Sequence, residues 1–223
     1  MKTGNTLHYE TVSPLLINSL RKLMESEAFK PFRLVGGTNL SLQFGHRISD
    51  DIDLFTDAPY GSLDFSLFEK YLEMTFPFVE TPFSSDIVGF GKMYYIGLNT
   101  KNEIKLDLMY TDEFFSPAIV IDGIRFASPE QVAAMKMQAI ATGGRKKDWW
   151  DIHMLLDHYT LEEMIDLHKR WQPWTHDRNH LLEELTKFSA ADQQPDPKCL
   201  LGKDWDFIKI DIIDAVTDCS QAI

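Results

Sequence analysis

Two short stretches decide the fold of this chain: Val-Gly-Gly-Thr at residues 35–38 and Ser-Asp-Asp-Ile-Asp-Leu-Phe at residues 49–55. Residues 32–35 and 52–55 have the composition of two short strands, and one helix's worth of chain separates them. Glycine adopts backbone conformations that other residues avoid, so the glycine pair predicts a tight turn close to a ligand. A strand, a glycine turn, a short helix and a second strand in this order predict an α/β fold.

The glycine turn also predicts a phosphate site. Gly36 and Gly37 let the backbone approach a ligand, and residues 39–44 are predicted to continue as a brief helix with Thr38 as its N-cap. The N-terminus of a helix offers free N–H groups and the positive end of the helix dipole, and both favour an anion. This turn is therefore the candidate nucleotide-binding element.

The second strand predicts a metal site beside that turn. Asp51 and Asp53 are two residues apart, so both carboxylates project from the same face of a strand. Hard oxygen ligands next to a phosphate are what Mg²⁺-assisted phosphoryl chemistry requires. An Asp-x-Asp pair alone is a weak signal, because acidic pairs also occur as solvated edges or caps. The Gly-Gly-Thr turn at the right distance favours the metal.

Residues 32–42 and 45–55 resemble the AbiEii/AbiGii-type toxin nucleotidyltransferases of the DNA polymerase beta-like superfamily, and the resemblance extends over about residues 30–158. The superfamily signature is Gly-Gly/Ser-Ser/Thr, a short helix, then Asp-x-Asp. The resemblance implies an α/β (α+β) fold, with a polymerase beta-like core on a mixed sheet and a C-terminal helical bundle. It also implies transfer of a nucleoside monophosphate from an NTP, with two Mg²⁺ ions (or Mn²⁺) on Asp51 and Asp53.

A predicted β-hairpin supplies a third carboxylate. Residues 87–98 are rich in strand formers, residues 99–102 form the turn, and residues 103–110 return as an antiparallel strand. Alternation along the returning strand places Asp107 on the face opposite to its apolar residues. The resemblance makes Asp107 a metal ligand and the general base. The pattern alone is also compatible with a single polar residue on an open sheet face.

A lysine on an apolar helix face is the next candidate. Ser128 as N-cap and Pro129 at the first position predict a helix start. The apolar stripe of that helix consists of Val132, Met135, Ala139 and Ile140. Lys136 falls within the stripe, where an ammonium needs water or an anion. The resemblance makes this anion the triphosphate of a nucleotide. Without nucleotide, Lys136→Met is expected to be tolerated or mildly stabilising.

The following helix begins with Arg-Lys-Lys-Asp-Trp-Trp-Asp at residues 145–151, which resembles the family's Arg-x-Lys-Asp-x-x-Asp block. The resemblance places Lys147 beside the nucleotide and Asp151 among the catalytic residues. For Asp148, a catalytic role and a structural role are equally supported. In the structural role it is an acidic residue in the first helical turn, where it interacts favourably with the helix dipole.

Charge limits the choice of acceptor. The net charge of −12 argues against broad, non-specific binding to a polyanion, although a nucleic acid could still be held at the basic residues 145–147. The resemblance implies the toxin of a type IV-like toxin–antitoxin or phage-defence pair, with a cognate antitoxin and with RNA, such as transfer-RNA ends, as acceptor. The acidic surface favours a protein or small-molecule hydroxyl instead. A non-catalytic nucleotide-binding module is a third alternative, against which the three carboxylates argue.

The chain is predicted to contain a nucleotidyltransferase core at residues 1–126 and a helical region at residues 127–223 that closes the cleft. Further helices are predicted over residues 11–29, 63–76, 161–171, 177–188 and 204–220. Two cysteines, no apolar run of membrane-spanning length and no secretory pattern predict a cytoplasmic protein without a membrane partner. The sequence assigns no chemical role to His46 and Arg47.

Overall fold

The computed structural model describes residues 6–82 and 89–221. The chain divides into two compact units: Met1–Phe44 with Ser49–Ala127, and Gly45–Ile48 with Ser128–Ile223. The short segment Gly45–Ile48 therefore belongs to the second unit, although it lies between the two halves of the glycine–aspartate signature. The catalytic and cleft-closing roles expected of the two regions stay predictions.

A mixed sheet dominates the first unit. The strands in its described residues are β1 (Arg33–Leu34), β2 (Ile52–Thr56), β3 (Phe78–Glu80), β4 (Gly91–Asn99), β5 (Asn102–Tyr110), β6 (Ile119–Ile121) and β7 (Ile124–Phe126). They form one sheet in the order β3-β4-β5-β2-β1-β7-β6. β2 pairs in parallel with β5, and β1 with β7, whereas the other neighbours are antiparallel. This mixed sheet confirms the predicted fold class.

The predicted hairpin is present. β4 and β5 pair as antiparallel neighbours, and Asn99 and Asn102 face each other at its turn. The predicted first strand starts at Ile87, but Ile87 and Val88 lie outside the described residues, and β4 begins at Gly91.

Helices in the described part of this unit are α1 (Pro14–Glu25), α2 (Gly36–Phe44) and α3 (Phe65–Thr75). α1 is shorter than the predicted residues 11–29, because Ser13 caps its first turn and 3₁₀ turns precede and follow it. Its apolar face is buried, and α1 packs against β5 and β7. α3 lies within the predicted residues 63–76, with the Asp64 carboxylate accepting the Ser66 N–H at its start.

α2 begins earlier than predicted. The helix includes both glycines and starts at Gly36, so the predicted start at residue 39 and the N-cap role of Thr38 were wrong. Gly36 has a φ of +69°, which lets the chain turn from β1 directly into the helix. Thr38 therefore lies inside the first turn of α2.

Alternation along β2 and β5 separates a core face from a carboxylate face. The fully or almost fully buried residues are Ile52, Leu54, Ile104, Leu106 and Leu108. Asp53 and Asp107 fall between them on the opposite, half-buried face. The predicted face of Asp107 is confirmed.

Helices make up most of the described part of the second unit. They are α4 (Pro129–Ala141), α5 (Lys146–Leu156), α6 (Leu161–Trp171), α7 (Arg178–Leu185), α8 (Ser189–Asp192) and α9 (Trp205–Gln221). Both α4 and α9 contact α5, α6 and α7. Ser128 caps α4 by accepting the Gln131 N–H, as predicted. None of the helices in residues 6–82 and 89–221 is long and apolar enough to span a membrane.

Candidate active site

Two candidate metal ligands occupy paired positions in the sheet of the first unit. Asp53 on β2 and Asp107 on β5 are Cα partners across parallel strands. Paired residues on neighbouring strands project from the same face, and parallel strands lie about 4.8 Å apart. Asp51 lies two residues before Asp53, immediately ahead of β2. The backbone therefore brings two carboxylates to one face, with the third immediately before β2.

Asp107 has one oxygen paired with a cation and one without a partner. Its Oδ2 accepts a hydrogen bond from the Lys105 ammonium, which lies on the same face of β5. Its Oδ1 is buried and has no hydrogen-bond partner. A buried carboxylate oxygen without a donor is unfavourable, and such an oxygen is a suitable ligand for a hard cation.

Gly36 provides the space for the Asp53 carboxylate. A Cβ at position 36 would lie 2.3 Å from Asp53 Oδ2 and 3.1 Å from Asp53 Cγ, far inside van der Waals contact. The positive φ of Gly36 disfavours any other residue at the same position. The glycine of the signature is thus required by both the backbone turn and the neighbouring carboxylate.

Thr38 is bound to the strand that carries the aspartates. Its side chain is completely buried, and its hydroxyl contacts Ser49 Oγ at 2.8 Å and the backbone carbonyl of Asp51. Asn39 continues this pattern, because its amide donates to the carbonyls of Leu34 and Ala127. In this conformation the Thr38 hydroxyl fixes the backbone at Asp51, and its predicted contact with a phosphate stays a prediction.

No three His, Cys, Asp or Glu side chains among residues 6–82 and 89–221 are arranged so that they could hold a metal ion as they stand. The Lys105 ammonium at Asp107 already neutralises one of the three carboxylates. The donor set itself, three aspartates with one buried and unpartnered oxygen, suits Mg²⁺ or Mn²⁺.

The other candidate residues lie in the second unit, where Lys136 is buried between two carboxylates. Its Nζ lies 2.7 Å from Asp148 Oδ1 and 2.6 Å from Asp151 Oδ2. Burial alone would lower the pKa of Lys136, but the carboxylates of Asp151 and Asp148 outweigh it and raise the pKa above its ordinary value. The ammonium is buried and already paired with two carboxylates, so the expected unpaired cation on an apolar face was wrong. We therefore expect Lys136→Met to destabilise the protein.

Asp151 is the centre of this buried cluster. Its side chain is completely enclosed, and it receives Arg47 Nε at 2.7 Å, Arg47 Nη2 at 2.9 Å and His46 Nε2 at 2.7 Å. Burial would raise the pKa of Asp151, but Arg47 and Lys136 hold it well below the ordinary value. Asp151 is therefore ionised at neutral pH.

Asp148 has a double role. Its Oδ2 accepts the backbone N–H of Arg145 at 2.9 Å and so caps α5, while its Oδ1 accepts from Lys136. Burial opposes ionisation, but Lys136 lowers the pKa of Asp148 below its usual value. The helix-start explanation of Asp148 is confirmed, and the ion pair with Lys136 adds to it.

A family model for the AbiEii nucleotidyl transferase toxin of type IV toxin–antitoxin systems matches residues 19–222. The chain belongs to the AbiEii family. An uncharacterised protein from Aquifex aeolicus is 29% identical to it over 160 residues, which cover 68% of this chain and 71% of that protein.

Solved structures place the AbiEii-family chain in the nucleotidyltransferase fold. JHP933 from Helicobacter pylori superposes with a TM-score of 0.55 at 20% identity, over 94% of this chain and 89% of that protein. MenT4, a nucleotidyltransferase toxin from Mycobacterium tuberculosis, superposes with a TM-score of 0.53 at 13% identity, over 91% of this chain and 83% of that protein. The predicted family and fold are both confirmed.

The basic patch of this AbiEii-family chain is smaller than its sequence indicates. Lys146 is buried, with its ammonium 2.9 Å from Asp196 Oδ1 and 5.0 Å from the centre of the Trp205 ring. Arg145 is exposed, and Lys147 is half-buried. Lys146 therefore supports the packing of the second unit, called the helical unit below, and is not a surface cation for an acceptor.

His46 and Arg47 are the residues that sequence reasoning left without a role. Both are almost completely buried and both bind Asp151. Burial lowers the pKa of His46, so its neutral ring donates through Nε2 to the ionised carboxylate. The signal in the sequence was indirect: Lys136 on an apolar face needed an anion, and two aspartates three residues apart on α5 needed cations.

Proposed function

We propose that this AbiEii-family toxin is a metal-dependent enzyme that transfers a nucleoside monophosphate from an NTP to RNA and releases pyrophosphate. Family membership supports the reaction class. The observation that carries the site is the pairing of Asp53 with Asp107 across parallel strands, behind the glycine turn of α2. Asp107 Oδ1 is buried without a hydrogen-bond partner, and a bound cation would satisfy it.

The three aspartates would have different roles at the metal site. Asp51 and Asp53 would hold two Mg²⁺ ions. Asp107 would complete the ligand set of one ion and help to deprotonate the attacking hydroxyl. Bound Mg²⁺ would neutralise charge on the phosphates and on the attacking oxygen. The Gly36–Gly37 turn would carry the triphosphate on its N–H groups, and Thr38 would keep the Asp51 backbone in place.

Lys136 and Lys147 are the proposed nucleotide-binding lysines, because an ammonium group can neutralise charge on a triphosphate. Lys136 would have to exchange a carboxylate for a phosphate oxygen, because Asp148 and Asp151 already bind it. Lys147 is half-buried and is the better supported of the two.

RNA and a protein or small-molecule hydroxyl are the two candidate acceptors. The type IV toxin–antitoxin family predicts a cognate antitoxin encoded with this chain. RNA is the acceptor that the resemblance to nucleotidyltransferases acting on transfer-RNA ends implies. The net charge of −12 and the buried state of Lys146 favour the alternative, nucleotidylation of a protein or small-molecule hydroxyl.

Labelling separates these acceptors. Purified protein is incubated with Mg²⁺ or Mn²⁺, each of the four labelled NTPs, and either total cell RNA or RNA-free lysate. The proposal predicts label in RNA and pyrophosphate release, both dependent on the divalent cation. Label confined to protein in the lysate would move the function to the alternative acceptor.

Asp53→Asn and Asp50→Asn form a matched pair for the same assay. Asp53→Asn keeps the size of the side chain but removes a metal ligand, so the fold should persist and transfer should be lost. Asp50 is an exposed neighbour outside β2, and its change should leave transfer intact. Equal activity of the Asp53→Asn variant and the wild type would refute the metal site.

A further inference from the structure

The segment Gly45–Ile48 is bound to the second unit by its backbone. Two backbone hydrogen bonds join it to residues 198–200: Ile48 N–H to the Lys198 carbonyl at 2.9 Å and Leu200 N–H to the His46 carbonyl at 2.9 Å. Together they form an isolated antiparallel bridge between Arg47 and Cys199. The segment that links α2 to Asp51 and β2 is therefore held like a short strand within the second unit.

Asp151 anchors the same segment through its side chains. Asp151 Oδ1 accepts from His46 Nε2 and Arg47 Nε, and Asp151 Oδ2 accepts from Arg47 Nη2 and Lys136 Nζ. A carboxylate offers about four lone-pair sites, two on each oxygen, so these four donors fill both oxygens. Asp151 has no remaining site for a metal ion or for a substrate proton.

The charges of this cluster balance without a nucleotide. Arg47 and Lys136 contribute two positive charges, Asp151 and Asp148 two negative ones, and the four side chains are almost completely buried. His46 stays neutral because burial lowers its pKa. A buried set that is already neutral and hydrogen-bonded indicates a structural anchor.

The anchored segment continues directly into the proposed metal site. After Ile48, the Ser49 N–H donates to the Thr11 carbonyl at 2.9 Å, and the Thr38 hydroxyl contacts both Ser49 Oγ and the Asp51 carbonyl. Asp51 thus follows the anchored Arg47 by four residues and is itself held through its backbone.

We propose that Asp151 is a positioning residue, which holds His46 and Arg47 and thereby fixes the path of the chain into Asp51, without touching the nucleotide. This inference rests on the proposed function in one respect: Asp51 is taken to be a metal ligand in the transfer reaction. The physical anchoring of residues 45–51 can be measured without any activity.

Asp151→Asn and Arg47→Lys test the anchor by changing either partner of the Arg47–Asp151 ion pair. Asn keeps the volume but not the charge of Asp151, and Lys keeps the charge of Arg47 but not its two-pronged contact. Both variants should lower kcat by about one to two orders of magnitude, as expected for small displacements of a catalytic group. The dissociation constants for the Mg²⁺ complexes of the four NTPs should stay within about twofold of wild type. In the proposed arrangement neither Asp151 nor Arg47 contacts the nucleotide, so ground-state binding is unchanged. The double variant should be no slower than the slower single variant.

Hydrogen exchange gives the readout that does not need activity. Amide exchange of residues 45–52 should accelerate in Asp151→Asn relative to wild type, while exchange in α3 stays unchanged. Asp211→Asn is the matched control, because Asp211 also binds a histidine of α5, His153, at 2.7 Å but is exposed. It should change neither kcat nor exchange at residues 45–52. If Asp151→Asn does not fold, Arg47→Lys carries the test.

Two results would overturn the inference. One is a loss of NTP affinity in Asp151→Asn as large as its loss of kcat, which would make Asp151 a nucleotide contact. The other is unchanged exchange at residues 45–52 in the folded variants. A wild-type protein that labels no acceptor, combined with the expected exchange pattern, would refute the proposed function and leave the anchor standing.

Discussion

Asp53 and Asp107 are direct neighbours in the parallel pairing of β2 and β5, with the core residues Leu54 and Leu108 paired next to them. Both flanking leucines are completely buried, so the register of the two strands is set by the core. A slip of one residue would turn the carboxylates into the core and the leucines out of it. The hydrophobic core therefore fixes the relation between the two carboxylates.

Gly36→Ala should abolish transfer, because the added Cβ would collide with the Asp53 carboxylate at 2.3 Å. Gly61→Ala is the matched control: Gly61 also has a positive φ, +75°, but nothing lies within 4 Å of its Cβ. Both variants should lose about 1 kcal/mol of stability from the left-handed backbone. Thermal unfolding and the transfer assay check this, and equal activities of the two alanine variants would speak against the contact.

Lys136→Met should destabilise the protein by about 3–5 kcal/mol, because it leaves the carboxylates of Asp148 and Asp151 buried without their shared cation. Lys187→Met is the control, since Lys187 also pairs with two carboxylates but on the exposed surface of the helical unit. Its effect should be much smaller, because exposed ion pairs contribute little to stability. Urea unfolding of the two variants measures the difference, and similar midpoints would contradict the buried ion pairs.

Stability should fall as the pH drops from about 6.5 to about 4, in part because of His168. Burial, with a smaller contribution from the neighbouring His176, lowers the pKa of His168 from 6.5 to about 4. The unfolded state then binds a proton that the folded state does not, so stability is fully present above pH 6.5 and is lost on acidification. His168→Gln should flatten this part of the pH–stability curve by at most about 1.4 kcal/mol per pH unit. Identical curves for wild type and variant would rule out this source.

RNA binding, if it occurs, should depend only weakly on salt. Arg145 is the exposed cation of the predicted patch, whereas Lys146 is paired with Asp196. Each phosphate contact adds about 0.7 (single strand) to 0.9 (duplex) to the salt slope, so a site built on Arg145 and Lys147 should have a slope of about −2 or shallower. Arg145→Glu should weaken the binding of labelled transfer RNA and leave NTP binding unchanged, whereas the same change at the exposed Lys30 should alter neither. A steep slope would point to cations elsewhere.

Local patterns allowed much of this fold to be predicted. The alternation along β5, the Ser128–Pro129 helix start and the glycine turn each depend on residues close in sequence, and the structure contains the corresponding elements. The start of α2 was misplaced, because glycine at position 36 can enter a helix directly at positive φ, a choice that local propensity does not specify.

The charge cluster could not be predicted in the same way. Arg47 and Asp151 are 104 positions apart, and their contact depends on how residues 45–48 and α5 are brought together by folding. The sequence showed that Lys136 needed an anion, but it did not show that the anion would come from the chain itself. Without the contact partner, a buried structural lysine and a nucleotide-binding lysine have the same pattern.

The assignment of Gly45–Ile48 to the second unit bears on how members of this family can recombine. Consider a chimaera that joins residues 1–127 of one relative to the remaining residues of another. Its residues 45–48 would come from the first relative, whereas the rest of the second unit would come from the other. Arg47 of one lineage would then meet position 151 and residues 198–200 of another. Exchanges that carry residues 45–48 together with the helical unit preserve these contacts, so we expect this four-residue insert to be inherited with the helices rather than with the sheet that surrounds it in the sequence.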